Sequence, residues 1–467
     1  MKILSLLIVL LASNASANSV DWSGIYRFES IYVKSIDADE DSKNYFLHHM
    51  VLKPKIIAAD GLHIQGRFDI LNNDDGLHSD YSNGLGSYLG NSPYDSTEAT
   101  SEDNSRTLGN KQEVSYINVS QLYLTWMQEY GALIVGRAPK NFGLGISYSG
   151  GDGMFDHWMD THDVVGYRFA VGNINIMPYY AKLEEGSVNK NNEDTQEYGF
   201  KVEYTNPETD LKLGAYYEER KNSSGVENNG SSVIYGSGDP TKTWEGYKHQ
   251  NWNLYAAKDY DKFGFAIEIA FNSGDTGVLN AVGEKIDVDA YAIATELHYD
   301  TQAKWYFDLK AGMITGDDSS TDRVYEGFVA DRNYQVGMLL FNHPLGKLNV
   351  LNSDVAGKFQ AADVDSAVLS NAVYFAPGFQ FKFSDKWALT SRFVYAQLME
   401  EPSTANTADK DLGYEIDLGL VYKPFDRFEV RIDTGYLMTG DAFKGGATNN
   451  FETDDIYGLQ LGLGVKF

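Results

Sequence analysis

Between Gly150 and Asp163 the chain reads Gly-Gly-Asp-Gly-Met-Phe-Asp-His-Trp-Met-Asp-Thr-His-Asp. Asp152, Asp156, His157, Asp160, His162 and Asp163 form its densest cluster of carboxylate and imidazole donors, the groups that hold divalent cations. Their spacing matches no recurrent metal motif, so a solvated loop is the stronger reading. A weak divalent-cation site in an extracellular loop is the alternative. A hydrolase would need a nucleophile beside a base. His48 and His49 are adjacent on a strand pattern, so one of them faces inward, yet no neighbouring Ser or Asp motif singles either out. With no cysteine there is no thiolate nucleophile, thiolate metal site or disulfide. These residues point away from an enzyme, and no cofactor is expected.

The richer chemistry lies in charges placed at every second residue. Arg427, Glu429, Arg431, Asp433 and Gly435 interleave with Phe428, Val430, Ile432, Thr434 and Tyr436. Glu415, Asp417 and Gly419 interleave with Tyr414, Ile416, Leu418 and Leu420. A helix cannot separate these rows, whereas a strand sends successive side chains to opposite faces. If the apolar row meets lipid, the other row lines an interior. It contributes Arg27, Arg67, Arg137, Arg168, Arg392 and Arg431 as cations and Glu29, Asp69, Asp417, Glu429 and Asp433 as anions. Arg137 shares its face with Leu133 and Val135, which weakens its assignment. Opposed charges on such a wall form cross-strand ion pairs or a transverse field that sorts solutes.

The elements that must carry these rows are strands. Alternation predicts them at 22–34, 44–57, 62–72, 114–127, 131–138, 164–171, 174–184, 195–205, 210–220, 249–258, 262–273, 286–299, 304–316, 366–383, 386–399, 412–424, 427–439 and 455–467. Their connections alternate between short and long, as in an up-and-down barrel with short periplasmic turns and long extracellular loops. The fold class is therefore all-β, an antiparallel transmembrane β-barrel of about 18 strands. The segment 333–351 could add a hairpin and raise the count to 20. It reads better as part of a long loop, 317–365, that is too apolar to lie idle in water and folds into the lumen. No linker divides the chain, so 18–467 is one barrel domain.

Export and composition agree with this reading. Met1 and Lys2, the apolar run Ile3 to Ala12 and Ala15-Ser16-Ala17 form a signal peptide over 1–17, with cleavage expected after Ala17. The chain holds 38 Lys and Arg against 66 Asp and Glu, a formal net charge of −28 that repels nucleic acid. The segment 73–113 is especially acidic. With 32 Tyr, 24 Phe and 45 Gly, composition suits strands with aromatic girdles.

The whole pattern resembles the Gram-negative outer-membrane porins. The last strand carries the most specific point, Gln460-Leu-Gly-Leu-Gly-Val-Lys-Phe467, which looks like the assembly signal read by the barrel-insertion machinery through a terminal Phe. Two patches look more narrowly like the alginate-export type of 18-stranded channel. One runs from Leu122-Tyr-Leu-Thr-Trp126 to Gly131-Ala-Leu-Ile-Val-Gly-Arg-Ala-Pro-Lys-Asn-Phe-Gly-Leu-Gly145; the other is Arg332-Asn-Tyr-Gln-Val-Gly-Met-Leu-Leu-Phe341. That family's polysaccharide exporter has a strongly basic lumen, and this lumen reads as charge-balanced.

The resemblance implies an outer-membrane channel for passive diffusion of small hydrophilic solutes or ions. Its partners would be outer-membrane lipid, lipopolysaccharide and the insertion machinery, and porins are often homotrimers. A plugged structural or receptor barrel and a polysaccharide-type export channel are the alternatives.

Overall fold

The computed structural model describes residues 19–34, 42–70, 87–89, 117–184, 195–222, 246–279, 284–318, 323–343, 368–401, 409–444 and 455–467. The expected signal peptide, most of the acidic segment 73–113 and part of the loop 317–365 lie outside them.

Eighteen long strands follow the alternation. They are β1 Ser19–Val33, β2 Lys43–Ala59, β3 Leu62–Ile70, β4 Ile117–Gln128, β5 Gly131–Pro139 and β6 Thr161–Val171. Next come β7 Ile174–Glu184, β8 Thr195–Asn206, β9 Leu211–Asn222, β10 Tyr247–Asp259, β11 Phe263–Leu279 and β12 Lys285–Asp300. The last six are β13 Trp305–Ile314, β14 Ala372–Lys382, β15 Trp387–Leu398, β16 Asp411–Phe425, β17 Phe428–Thr439 and β18 Ile456–Lys466. Each pairs antiparallel with its successor, and β1 pairs with β18 from Ile25↔Lys466 to Val33↔Gly458, which closes the sheet into a barrel. Closure removes both sheet edges, so no strand is left with unpaired backbone groups in lipid.

The seam is drawn tight at its end. Phe467 and Gly24 exchange backbone hydrogen bonds at 2.9 and 3.1 Å. A Cβ at Gly24 would fall 2.4 Å from the Phe467 ring, so only glycine leaves room for the terminal aromatic.

Outside the barrel the alternate side chains are large, apolar and exposed, among them Leu122, Val165, Ile176, Leu254, Phe375, Ile416, Leu459 and Trp252. Aromatics stand at two heights. On β18, Tyr457 and Phe467 mark them, and the β15 ring Trp387 stacks on Tyr422 while Tyr395 stacks on Tyr414. Ten residues of strand between the β18 pair span about 33 Å. At a tilt of about 40° this is about 25 Å of height, the thickness of a barrel's apolar band.

Long connections fold back into this cylinder. Residues 140–160, between β5 and β6, and residues 323–343, between β13 and β14, pack on the inner wall and bury the main apolar cluster, including Ile146, Phe328, Tyr334, Leu339 and Leu340.

Candidate functional site: the inner wall and its two inward segments

The segment 140–160 crosses the lumen. It leaves β5 at Lys140, whose ammonium bonds Glu197 Oε2 at 3.0 Å and also contacts Glu218. Arg220 reaches the same two carboxylates at 3.3 and 3.5 Å. Tyr148 donates to Glu218 at 2.5 Å, Tyr216 donates to it at 2.6 Å, and Tyr179 donates to Glu197 at 2.9 Å. Two cations balance two anions, and phenol hydroxyls satisfy further lone pairs, the condition under which buried charge is tolerated.

Further along, Glu268 on β11 accepts from the Leu144 amide at 2.6 Å, and Asn253 ties Ser147 and Glu268 together. Gly143 has φ of 57°, and a Cβ there would strike the Glu268 carboxylate. Glycine is required on both counts.

On the far wall the segment meets β1 to β3. Arg67 donates to the carbonyls of Gly150 and Gly151 at 3.2 and 2.8 Å. Arg27 donates to the carbonyls of Asp156 and Leu89, and His157 Nε2 bonds Glu29 at 2.7 Å. Asp152 pairs with Lys53. Since β11 and β1 stand roughly opposite in an 18-stranded barrel, the segment spans the lumen.

The second segment lies against it. Asp331 N donates to Ile146 O at 2.8 Å, and the Arg332 guanidinium lies 4.0 Å from the Trp158 ring centroid. Wall carboxylates hold its backbone: Glu415 accepts from the amides of Leu339 and Leu340 at 2.6 and 2.8 Å, and Asp417 from Met338 at 3.1 Å. Asp160 and Asp331, both almost fully buried, join the two segments at their crossing. Burial raises both carboxyls, with Asp331 pushed up to about 7, and mutual repulsion raises Asp160 further.

Ten of the sequence candidates project inward: Arg27, Glu29, Arg67, Asp69, Arg168, Arg392, Asp417, Glu429, Arg431 and Asp433. They are not equivalent. Arg27, Glu29, Arg67 and Asp69 are sealed beneath residues 150–157, while Arg392 bonds Asp308 at 2.5 Å and Arg431 bonds Asp433 at 2.6 Å beside a cavity.

Arg137 is a correction. It faces outward with exposed Leu122 as its cross-strand neighbour, and forms a bidentate pair with Asp163 at 2.7 and 2.9 Å. The parity of β5 decides this, because Ala132 and Ala138 occupy the inward positions.

The donors of 150–163 disperse rather than converge. His157 goes to Glu29, His162 to Glu197, Asp152 to Lys53, Asp156 to the Gly153 amide and Asp163 to Arg137. Among the described residues no group of three or more such side chains is placed to hold a metal. Residues 150–160 lie inside the barrel, while Asp163 faces outward with Arg137. His49 is the inward histidine of its pair and bonds Asp69 at 2.7 Å, while Ser120 donates to the other Asp69 oxygen. The carboxylate stands between the hydroxyl and the imidazole, so the histidine is not placed to take the serine proton as in a Ser-His-Asp triad.

Sequence reasoning missed the inward course of 140–160 and with it Lys140, Glu197, Arg220 and Asn333. Glu197 and Arg220 were within reach, since strand alternation over 195–205 and 210–220 puts each in the charged row of its strand, with Lys201 and Glu218. Among the described residues, two cavities lie beside the inward segments. One of about 470 Å³ lies between 141–156 and β8–β10; the other, of about 360 Å³, lies between 335–342 and the wall around Arg392 and Arg431.

No protein-family model and no curated protein matches the sequence. In three dimensions the chain resembles Pseudomonas aeruginosa OpdQ (TM-score 0.52, 10% identity, covering 96% of this chain and 98% of that one). It also resembles OccK9 (OpdG) of the same organism (0.52, 11%, 96% and 98%). A third is P. aeruginosa OccK2 (OpdF) in complex with glucuronate (0.51, 10%, 96% and 98%). The likeness is one of fold.

Proposed function

We propose that this chain is an outer-membrane porin, a passive channel for small hydrophilic solutes and ions. One observation carries the reading: a closed 18-stranded barrel presents an apolar, aromatic-banded exterior and a charged interior. Such a surface is stable only in lipid, and a lumen of this strand number has room for water. Arg168, Arg392, Asp417, Glu429, Arg431 and Asp433 then set the field along the wall. Arg27, Glu29, Arg67 and Asp69 act by pinning 150–157 across the path.

Lipid and lipopolysaccharide would surround the outer face, and the insertion machinery would read Phe467. Assembly as a homotrimer belongs to the same reading, and no resident cofactor or divalent cation is needed for it. Diffusion through a polar constriction requires no nucleophile, and the His49–Asp69–Ser120 order gives none.

The test is reconstitution of the mature protein in planar bilayers. Discrete conductance steps are expected, with a salt-gradient reversal potential favouring cations because acidic residues outnumber basic ones. A correctly folded barrel that never conducts would refute it. A plugged barrel is the second reading, favoured by the contact between the two inward segments. Deletion of 325–345 separates the two, because a plugged barrel becomes leaky and an open one changes conductance only modestly.

A further inference from the structure

The cavity of about 360 Å³ is bounded by Phe155 and His157 on one side and by β13–β18 on the other. It falls at the small end of the range for small-molecule sites, about 300–1,000 Å³. The cations around it are already engaged. Arg392 donates to Asp308 at 2.5 Å and to the Ala376 carbonyl at 3.2 Å. Arg431 donates to Asp433 at 2.6 Å, Lys310 contacts Glu296 at 3.2 Å, and His157 bonds Glu29 at 2.7 Å. An anionic solute would give up hydration without meeting an uncommitted cation, and would face the carboxylates of Asp308, Asp417 and Asp433.

The remaining capacity is hydrogen bonding without net charge. Asp417 presents its carboxyl group to the lining, with one oxygen taken by the Met338 amide at 3.1 Å and the Glu415 carboxyl beside it. Thr390 and Gln380 add a hydroxyl and an amide to the lining, and both groups donate as well as accept, as a hydroxyl does. The Arg431–Asp433 pair is held planar by two bonds, at 2.6 and 3.4 Å, so its spare donors and lone pairs have fixed directions. The Phe155 ring, 5.2 Å from the Arg431 guanidinium, supplies an apolar face at the edge.

We propose that this cavity is a subsite for an uncharged, hydroxyl-rich ring solute of hexose size. The proposal rests on the channel reading above and adds a solute class to it. Vicinal hydroxyls match the alternation of guanidinium, carboxylate and amide around the wall, and the ring's C–H face matches Phe155.

Three hexopyranoses of nearly equal size and different charge test it: glucose, glucosamine and glucuronate, each added to the mature protein in planar bilayers. Glucose is expected to interrupt the current with the longest dwell times. Gln380→Ala and Thr390→Val should each shorten them about fivefold, the effect of one lost hydrogen bond. A conducting pore in which glucose gives no interruptions, or in which glucuronate or glucosamine dwells longer, overturns the proposal and leaves the channel reading intact. A pore that does not conduct overturns the channel reading instead. Titration calorimetry of glucose into the detergent-solubilised barrel then decides the cavity: binding weakened by Gln380→Ala supports it, and absence of binding overturns it.

Discussion

Asn333 grips the Trp158 backbone at both its donor and its acceptor: Oδ1 accepts the Trp158 N–H at 3.0 Å and Nδ2 donates to the Trp158 carbonyl at 2.7 Å. The same Oδ1 takes the His157 amide at 3.1 Å. One side chain thus replaces a strand neighbour for a piece of backbone that has left the wall. The two inward segments behave as one unit through it, although 175 residues separate the pair in sequence.

Asn333→Ala removes four bonds, the fourth being the one Nδ2 donates to Ser149 Oγ at 3.0 Å, and leaves buried backbone groups without that partner. Each such group costs about 1–3 kcal/mol, more than its bond contributes net. The expected outcome is a noisier channel with larger and more variable conductance steps, read in bilayers, while the wall's own ladder keeps the barrel's thermal unfolding nearly unchanged.

Asp160 and Asp331 make the crossing sensitive to pH. Burial raises both, and each faces the other; Lys140 is the nearby cation opposing the rise at Asp160, and Asp156 adds to it at Asp331. These acids hold a proton to higher pH when folded than when unfolded. The contact is therefore strongest at acid pH and is lost as pH rises through about 7, where Asp331 titrates. Current fluctuations should grow between pH 6 and pH 8.5, and Asp331→Asn should flatten that dependence. A pH-independent wild-type channel would rule the coupling out.

Glu415→Ala strips the acceptor from the Leu339 and Leu340 amides. Hydrogen exchange at 338–340 should accelerate by at least tenfold, corresponding to about 1.4 kcal/mol or more of lost local protection. Amides within β16 itself should keep their protection, since their partners lie in the ladder.

Arg137→Ala and Arg392→Ala should differ in kind. The first breaks an outward, half-exposed pair worth about 1 kcal/mol or less and leaves conductance and selectivity as they were. The second exposes the Asp308 carboxylate beside the smaller cavity and shifts the reversal potential towards cations. Measured reversal potentials of the two variants in a salt gradient check both halves.

Gly24→Leu should block closure of the seam, because the Phe467 ring occupies the space of its side chain. Loss of the compact band in unheated electrophoresis gels, where intact barrels resist detergent, is the expected readout. Phe467→Ala in the same background should not restore it, because the Val51 carbonyl oxygen lies equally close to the added Cβ.

The wall was readable from the chain because its rule is local. A strand alternates with period two, lipid demands an apolar row on one side, and each turn reverses direction; hence the predicted ranges and the 18 strands agree with the structure to within a few residues at most ends. The same parity identifies which residues project inward, and Arg137 was already discordant by that rule. The inward segments obey no such rule. Nothing periodic in 140–160 distinguishes a loop in water from one lying across a lumen. Its contacts with Glu268, Arg67, Glu29 and Asn333 come from strands and segments scattered through the chain.

Sequence by itself determined the strand rhythm, the sorting of charged from apolar rows, and the closing strand with its terminal Phe467, because each follows from backbone geometry repeated residue by residue. Only the tertiary structure decided what those inward charges do. Some anchor backbone amides and carbonyls of a segment that crosses the barrel, and others stay paired around a cavity. That division depends on which distant segments curvature and closure bring opposite one another.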